Sequence, residues 1–125
     1  MGTENEFYPG EIKDLVLASL HDGLSNIESK TRRYDVVQDI IQANDYQHLS
    51  KKRTDEAKKL LKNYNGMNPR IRKGLENLGF EVTHESNHYK AVYYSDDRYI
   101  VVYGATPSDS RAGKNNISNT VKKVF

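Results

Sequence analysis

The strongest constraint on the fold of this chain is a group of three short segments of alternating apolar residues, separated only by turns. The segments cover residues 80–84, 89–94 and 99–103, and the turns contain Ser86-Asn87 and Asp96-Asp97. Parallel pairing would require a crossover of about a dozen or more residues between successive strands, and these turns are too short for one. The sequence therefore predicts a three-stranded antiparallel sheet.

A helix is predicted on each side of these strands. Asn68-Pro69 begins the first helix, because asparagine caps helices and proline has no N–H to lose in the first turn. Gly79 follows the last apolar residue of this helix, where a left-handed conformation commonly ends a helix. The last helix carries apolar residues at helical spacing, namely Ile117, Val121, Val124 and Phe125. Together these elements predict a two-layer α-β-β-β-α unit with its helices on the sheet.

Three further helices are predicted in the N-terminal half, where apolar residues recur every three or four positions. They begin near Pro9, Thr31 and Ser50, and the pattern ends at Gly66. We therefore predict an α+β protein with a flexible tail at 1–8, a helical segment at 9–66 and the α-β-β-β-α domain at 67–125. Because short helices form a small core, we expect the helical segment to pack on the domain or on another subunit.

The composition excludes several classes of function. The 125 residues contain no cysteine, so disulfides, thiol nucleophiles and thiolate metal sites are excluded. No apolar run approaches the roughly 20 residues that a membrane-spanning helix needs, and we expect a cytoplasmic protein with no membrane partner. Residues 67–125 hold 9 Lys and Arg against 6 Asp and Glu, so an anionic partner is expected at the C-terminal domain.

Two histidines flank the first turn of the predicted sheet. His84 and His88 lack a third ligand at a usable spacing, so we predict no metal site and no cofactor. His88 opens the second strand, and Lys90 lies two residues further on the same strand face. An imidazole can transfer protons near neutral pH, and a lysine can stabilise the phosphorane that forms when RNA is cleaved. The alternative is that His88 bonds only to its own turn.

Further cations are candidates for binding nucleic acid. Lys90 and Arg98 lie beside tyrosines of the predicted strands, on which bases can stack, although strand alternation sends these tyrosines to both sheet faces. Arg111 and Lys114 lie in a loop before the last helix, whose N-terminus attracts phosphate. We predict that these four cations contact nucleic acid, and ordinary solvation is the alternative.

Several stretches of the C-terminal domain match the pattern of a known family. Leu78-Gly79-Phe80-Glu81-Val82 matches a helix that ends in Gly-Phe before a strand, and Ser86-Asn87-His88-Tyr89 lies where that pattern has a Gly-Ser-His turn. Gly113-Lys114-Asn115 resembles the basic entry to its last helix. With these residues the domain resembles the HicA-like toxins, small mRNA interferases with a double-stranded-RNA-binding-domain-like fold. The resemblance implies that His88 is a catalytic histidine and that an antitoxin-like protein is a partner.

Three functions therefore compete. The first is an RNA-binding, metal-independent endoribonuclease that uses His88 as acid or base. The second is a nucleic-acid-binding module that keeps the fold without the activity. The third is an interaction protein whose N-terminal helices mediate self-association or hold a partner.

Overall fold

The structure is a computed structural model that describes residues 2–105 and 115–125 in full and residues 112–114 as backbone. Helices come first, followed by three strands and a final helix, which confirms the predicted α+β class. The helices are α1 (Glu11–Gly23), a short 3₁₀ helix (Leu24–Asn26), α2 (Arg32–Ala43), α3 (Leu49–Leu61), α4 (Pro69–Asn77) and α5 (Ala112–Val124). The strands are β1 (Phe80–Glu85), β2 (His88–Tyr93) and β3 (Ile100–Gly104).

The chain forms two compact units, Met1–Lys52 and Arg53–Phe125, and the division falls inside α3. The second unit therefore includes most of α3 in addition to the α-β-β-β-α elements. The sequence pattern changes at Gly66, which is not where these two units divide. The domain limits predicted from that pattern, 9–66 and 67–125, stay a prediction.

In the first unit, a buried carboxylate holds the start of α3. Asp14 on α1 is 2% exposed and accepts hydrogen bonds from the backbone N–H groups of Gln47 at 2.9 Å and Leu49 at 2.8 Å. These N–H groups lie at the beginning of α3, where a negative charge stabilises a helix. Thr31 caps α2 as predicted, since its side-chain oxygen accepts from the N–H of Tyr34 at 3.3 Å.

In the second unit, α4 begins and ends at the residues that the sequence indicated. Asn68 Oδ1 accepts a hydrogen bond from the backbone N–H of Ile71 at 2.9 Å. Gly79 has a φ of 106°, and a Cβ built there would lie 2.2 Å from Cε2 of Tyr94. Only glycine fits this position, so the chain leaves α4 and enters β1 through a close contact with the Tyr94 ring.

The three strands form an antiparallel sheet in the order β1-β2-β3, with β2 in the centre. In the second unit, α4 packs on β1 and α5 packs on β3. The core face of the sheet carries Phe80, Val82, Ala91, Tyr93, Val101 and Tyr103, all buried. The opposite face, which we call the open face, carries Glu81, Thr83, Glu85, His88, Lys90, Val92, Ile100 and Val102, all of them half-buried or exposed.

The sheet register decides the role of the strand tyrosines. Tyr93 and Tyr103 lie on the core face, where they are 2% and 0% exposed. Tyr93 packs against Phe80, with ring centroids 4.9 Å apart, and Tyr103 packs against Tyr64 at 6.1 Å. These rings therefore build the hydrophobic core and are not available as a platform on which bases can stack.

Helix α5 packs partly through polar side chains. The residues of its apolar stripe are only half-buried, whereas Thr120 is 0% and Asn116 8% exposed. The hydroxyl of Thr120 donates to the carbonyl oxygen of Asn116 at 2.7 Å, so the hydroxyl of Tyr103 is the donor in its 2.6 Å bond to Thr120. Burial raises the pKa of Tyr103 to about 12.

Within the described ranges, no helix has both the length and the apolar character that crossing a membrane requires.

Candidate active site

The candidate site lies where the β1–β2 hairpin turns. Ser86 and Asn87 form a two-residue turn, and Ser86 adopts a left-handed φ of 49°. Glu85 and His88 are the last and first residues of the two strands and pair directly with each other. Because residues directly opposite each other in an antiparallel pair project to the same face, both side chains lie on the open face.

Glu85 and His88 form a carboxylate–imidazole pair. Glu85 Oε2 lies 3.8 Å from His88 Nε2, and the two side chains are 52% and 42% exposed. A carboxylate and an imidazole side by side can act as a proton acceptor and a proton donor. Both groups remain accessible to a substrate on the open face.

Lys90 adds a cation to the same face. It lies two residues beyond His88 on β2, about 7 Å along the strand, and pairs with Thr83 on β1. Its side chain is half-buried. His88 and Lys90 therefore lie on one face of the sheet, as strand alternation predicts.

The second histidine of the hairpin is oriented differently. His84 pairs with Tyr89, and both lie on the core-facing side of the sheet at its hairpin end. Their rings stack with centroids 4.5 Å apart and an angle of 14° between planes. The two histidines thus project to opposite faces, and the described residues contain no group of three or more His, Cys, Asp or Glu side chains that could hold a metal.

Arg98 does not join this site. It lies in the β2–β3 turn, at the other end of β2 from His88. Its Nη2 donates to Asp96 Oδ2 at 2.7 Å and its Nε to Asp96 Oδ1 at 3.0 Å, while its guanidinium carbon lies 5.0 Å from the centre of the Tyr99 ring. Hydrogen bonds from Arg98 hold the pKa of Asp96 below its usual value. A contact of Arg98 with nucleic acid stays a prediction.

The two remaining predicted cations have less structural description. Arg111 lies outside the described residues. The backbone of Lys114 belongs to the first turn of α5, and its side chain is not described. Of the two predicted cations whose side chains are described, Lys90 lies on the face that carries His88 and Arg98 lies in the β2–β3 turn.

Glu85 is the residue of this site that sequence reasoning missed. The sequence motif directs attention to the two histidines, so Glu85 is not among the predicted catalytic residues. The available signal was its spacing, since residues that flank a two-residue turn pair with each other on one face.

The fold and this site describe a small α+β protein with a carboxylate–imidazole pair and a lysine on an open sheet face. No family model, curated protein or solved structure matches the chain.

Proposed function

We propose that this chain binds RNA on the open face of its sheet and cleaves it without a metal ion. The observation that carries the proposal is the 3.8 Å pair of Glu85 and His88, which is accessible and has Lys90 beside it. Cleavage at a 2′-hydroxyl needs a base, an acid and a cation, and these three side chains supply one of each.

The reaction is an internal transfer of the phosphodiester. Glu85 removes the proton from the 2′-hydroxyl, and the 2′-oxygen attacks the adjacent phosphorus. The bond from phosphorus to the 5′-oxygen breaks, and the imidazolium of His88 donates its proton to that oxygen. Lys90 stabilises the negative charge on the non-bridging oxygens. The products are a 2′,3′-cyclic phosphate and a free 5′-hydroxyl, and no water or cofactor is consumed.

The resemblance of the domain to HicA-like toxins supports the same assignment, because the catalytic histidine of that family falls on His88. The proposal includes the partners that this resemblance implies, namely an mRNA substrate in the cytoplasm and an antitoxin-like protein. Self-association through the N-terminal helices belongs to the competing interaction function.

The test is cleavage of a single-stranded RNA by the full chain and by its His88→Ala variant. We expect the substitution to slow cleavage by about 10²- to 10⁴-fold, since that is the usual contribution of a general acid. Chelators should have no effect, and the product should carry a cyclic phosphate. The matched control is His84→Ala, which removes the histidine on the opposite face of the same hairpin and should leave the rate within a few-fold of wild type.

The results distinguish the competing functions. Equal cleavage by the His88→Ala and His84→Ala variants would exclude the proposed mechanism. RNA binding by the wild-type chain without cleavage would favour the non-catalytic module. Absence of both, together with association that is lost on truncating the N-terminal helices, would favour the interaction protein.

A further inference from the structure

The outer edge of β3 has backbone groups that point away from the sheet. The carbonyl oxygen of Tyr99 accepts from the Tyr93 N–H at 3.0 Å. The N–H of Ala105 donates to the carbonyl oxygen of Asn87, just before β2, at 3.1 Å. Antiparallel bonding alternates, so the N–H and C=O groups of Ile100 and Val102 face outward. The sheet order places β3 at the edge, and Val102 is 51% exposed. Among the described residues, the Gly104 carbonyl oxygen at the end of β3 accepts a hydrogen bond from the Tyr64 hydroxyl, so the part of this edge that is open to another strand is residues 100–102.

The opposite edge of the sheet is interrupted by a side chain. Val82 is one of the β1 residues whose backbone groups face outward, and its carbonyl oxygen accepts a hydrogen bond from Arg72 Nη2 at 2.8 Å. Arg72 lies on α4, and its guanidinium occupies the position from which an added strand would donate a backbone N–H to Val82. Val82 lies in the middle of β1, whereas the side-chain bond on β3 is at its last residue, Gly104, so strand addition is favoured at β3.

A groove runs between the edge of β3 and α5. Its volume is about 370 Å³, and it is lined by Ile100, Val101, Val102, Asn119, Lys122 and Lys123. Ile100 and Val102 offer apolar contacts on the open-face side, while Lys122 and Lys123 lie on the helix side. A strand seated here would alternate between these two environments along its length.

We propose that the β3 edge binds an extended acidic peptide segment of a partner protein, which adds to the sheet as a fourth strand. The segment would alternate apolar side chains, placed against Ile100 and Val102, with Asp or Glu placed against Lys122 and Lys123. Backbone hydrogen bonds supply affinity in this mode of recognition, and the alternate side chains supply specificity. The proposal rests on β3 and α5 and does not depend on RNA cleavage.

Charge argues for this occupant over two others. A second copy of the chain, paired through β3 about a twofold axis, would bring two pairs of lysines together without a compensating acid from the groove. RNA would satisfy the lysines, but it has no strand backbone to pair with Ile100 and Val102.

The test uses the full chain and a short fluorescent peptide with blocked ends that alternates valine or threonine with glutamate. Fluorescence anisotropy should show saturable binding, and the amide NMR signals of Ile100, Val102 and Gly104 should shift. The same peptide with lysine in place of glutamate should bind at least about tenfold more weakly.

Two variants locate the binding site on the protein. Replacing both groove lysines, by Lys122→Glu and Lys123→Glu, should weaken binding of the glutamate peptide about tenfold or more. The matched control is Lys58→Glu with Lys59→Glu, which changes the charge equally on the exposed face of α3. Val102→Pro removes an outward N–H that takes no part in the sheet, so it should block the peptide while the fold is retained.

Three results would overturn the proposal. The first is equal binding of the glutamate and lysine peptides. The second is a peptide affinity that the groove variant and its α3 control change equally. The third is a β3 edge that dimerises or binds single-stranded RNA but gives no amide shifts with the glutamate peptide.

Discussion

Glu85 Oε2 lies 3.8 Å from His88 Nε2 across the turn that joins β1 to β2. If the pair acts in catalysis as proposed, Glu85 is required for cleavage, whereas a histidine that only stabilises its own hairpin leaves Glu85 dispensable for catalysis.

We therefore expect Glu85→Gln to slow RNA cleavage by about 10²-fold or more, because the amide cannot accept the 2′-hydroxyl proton. RNA affinity should change little, since the carboxylate does not attract phosphate. The measurement is a single-turnover cleavage rate beside a binding titration. Glu81→Gln, on the same sheet face and further from the turn, is the control, and an equal loss in both variants would argue against an acid–base role.

Lys90 should contribute to binding through the phosphate backbone. The open face also carries Glu81 and Glu85, so we expect few phosphate contacts and a shallow dependence of affinity on salt. Lys90→Ala should reduce the slope of log affinity against log salt by about 0.7, the value for one phosphate contact with a single strand. Lys73→Ala, an exposed cation of α4, should leave the slope unchanged; a smaller slope in both variants would show that the contact is not specific to the open face.

Gly79 should be the glycine least tolerant of substitution. Gly79→Ala places a Cβ against the Tyr94 ring at a φ of 106°, which alanine rarely adopts, and we expect a loss of about 2–4 kcal/mol in the free energy of unfolding. Gly23→Ala is the control, because Gly23 has a helical φ of −75° and open space around its Cβ position. That variant should be neutral or more stable by up to about 1 kcal/mol. Urea titrations measure both, and equal stability of the two variants would contradict the strained geometry at Gly79.

Tyr103→Phe should change stability in opposite senses at neutral and alkaline pH. Loss of the hydrogen bond to Thr120 should cost about 1 kcal/mol near pH 8. The pKa of Tyr103 is about 12 in the folded chain and 10.0 as a model value, so its contribution is intact below pH 10 and is lost as the pH rises toward 12. At pH 11 the wild type should have lost about 1.4 kcal/mol that the variant retains. Because this loss exceeds the hydrogen bond of about 1 kcal/mol, the stability difference measured in urea should shrink above pH 10 and be slightly reversed at pH 11. A constant difference would refute the raised pKa.

Asp96→Asn should lower the free energy of unfolding more at neutral pH than at acidic pH. The pKa of Asp96 is lowered by its hydrogen bonds with Arg98, so the stabilisation is present above the ordinary carboxyl pKa and is lost as the pH falls through the folded value. Urea unfolding at pH 7 should show that the variant is less stable than the wild type. The difference in the free energy of unfolding should shrink as the pH is lowered through the acidic range. Asp97→Asn in the same turn controls for the loss of a carboxylate. An undiminished difference at the lowest pH would contradict the pairing.

The sequence predicted those parts of the fold that depend on neighbouring residues. The Asn68 cap, the Gly79 helix end and the antiparallel order of the strands follow from local spacing, and the structure has all three. The sequence did not indicate the polar packing of α5, because the partner of Thr120 is the hydroxyl of Tyr103, which is 17 residues away. In a hydrophobic pattern Tyr103 counts as an apolar residue.

The candidate site was also predicted only where local spacing determines it. Strand alternation predicted that His88 and Lys90 share a face, and the structure has this arrangement. Arg98 was grouped with them because it lies beside the strand tyrosines, and the structure places it in the β2–β3 turn with bonds to Asp96. Its contact with nucleic acid stays a prediction.

The difference between the two edges of the sheet limits how the chain can assemble. Arg72 occupies the Val82 carbonyl at one edge, while Ile100 and Val102 keep outward backbone groups at the other. Open-ended polymerisation through strands needs two receptive edges per molecule, because each added subunit must present a fresh one. If strands add at β3 alone, as proposed, growth ends at the first addition, and this geometry favours a closed, stoichiometric complex over fibrils.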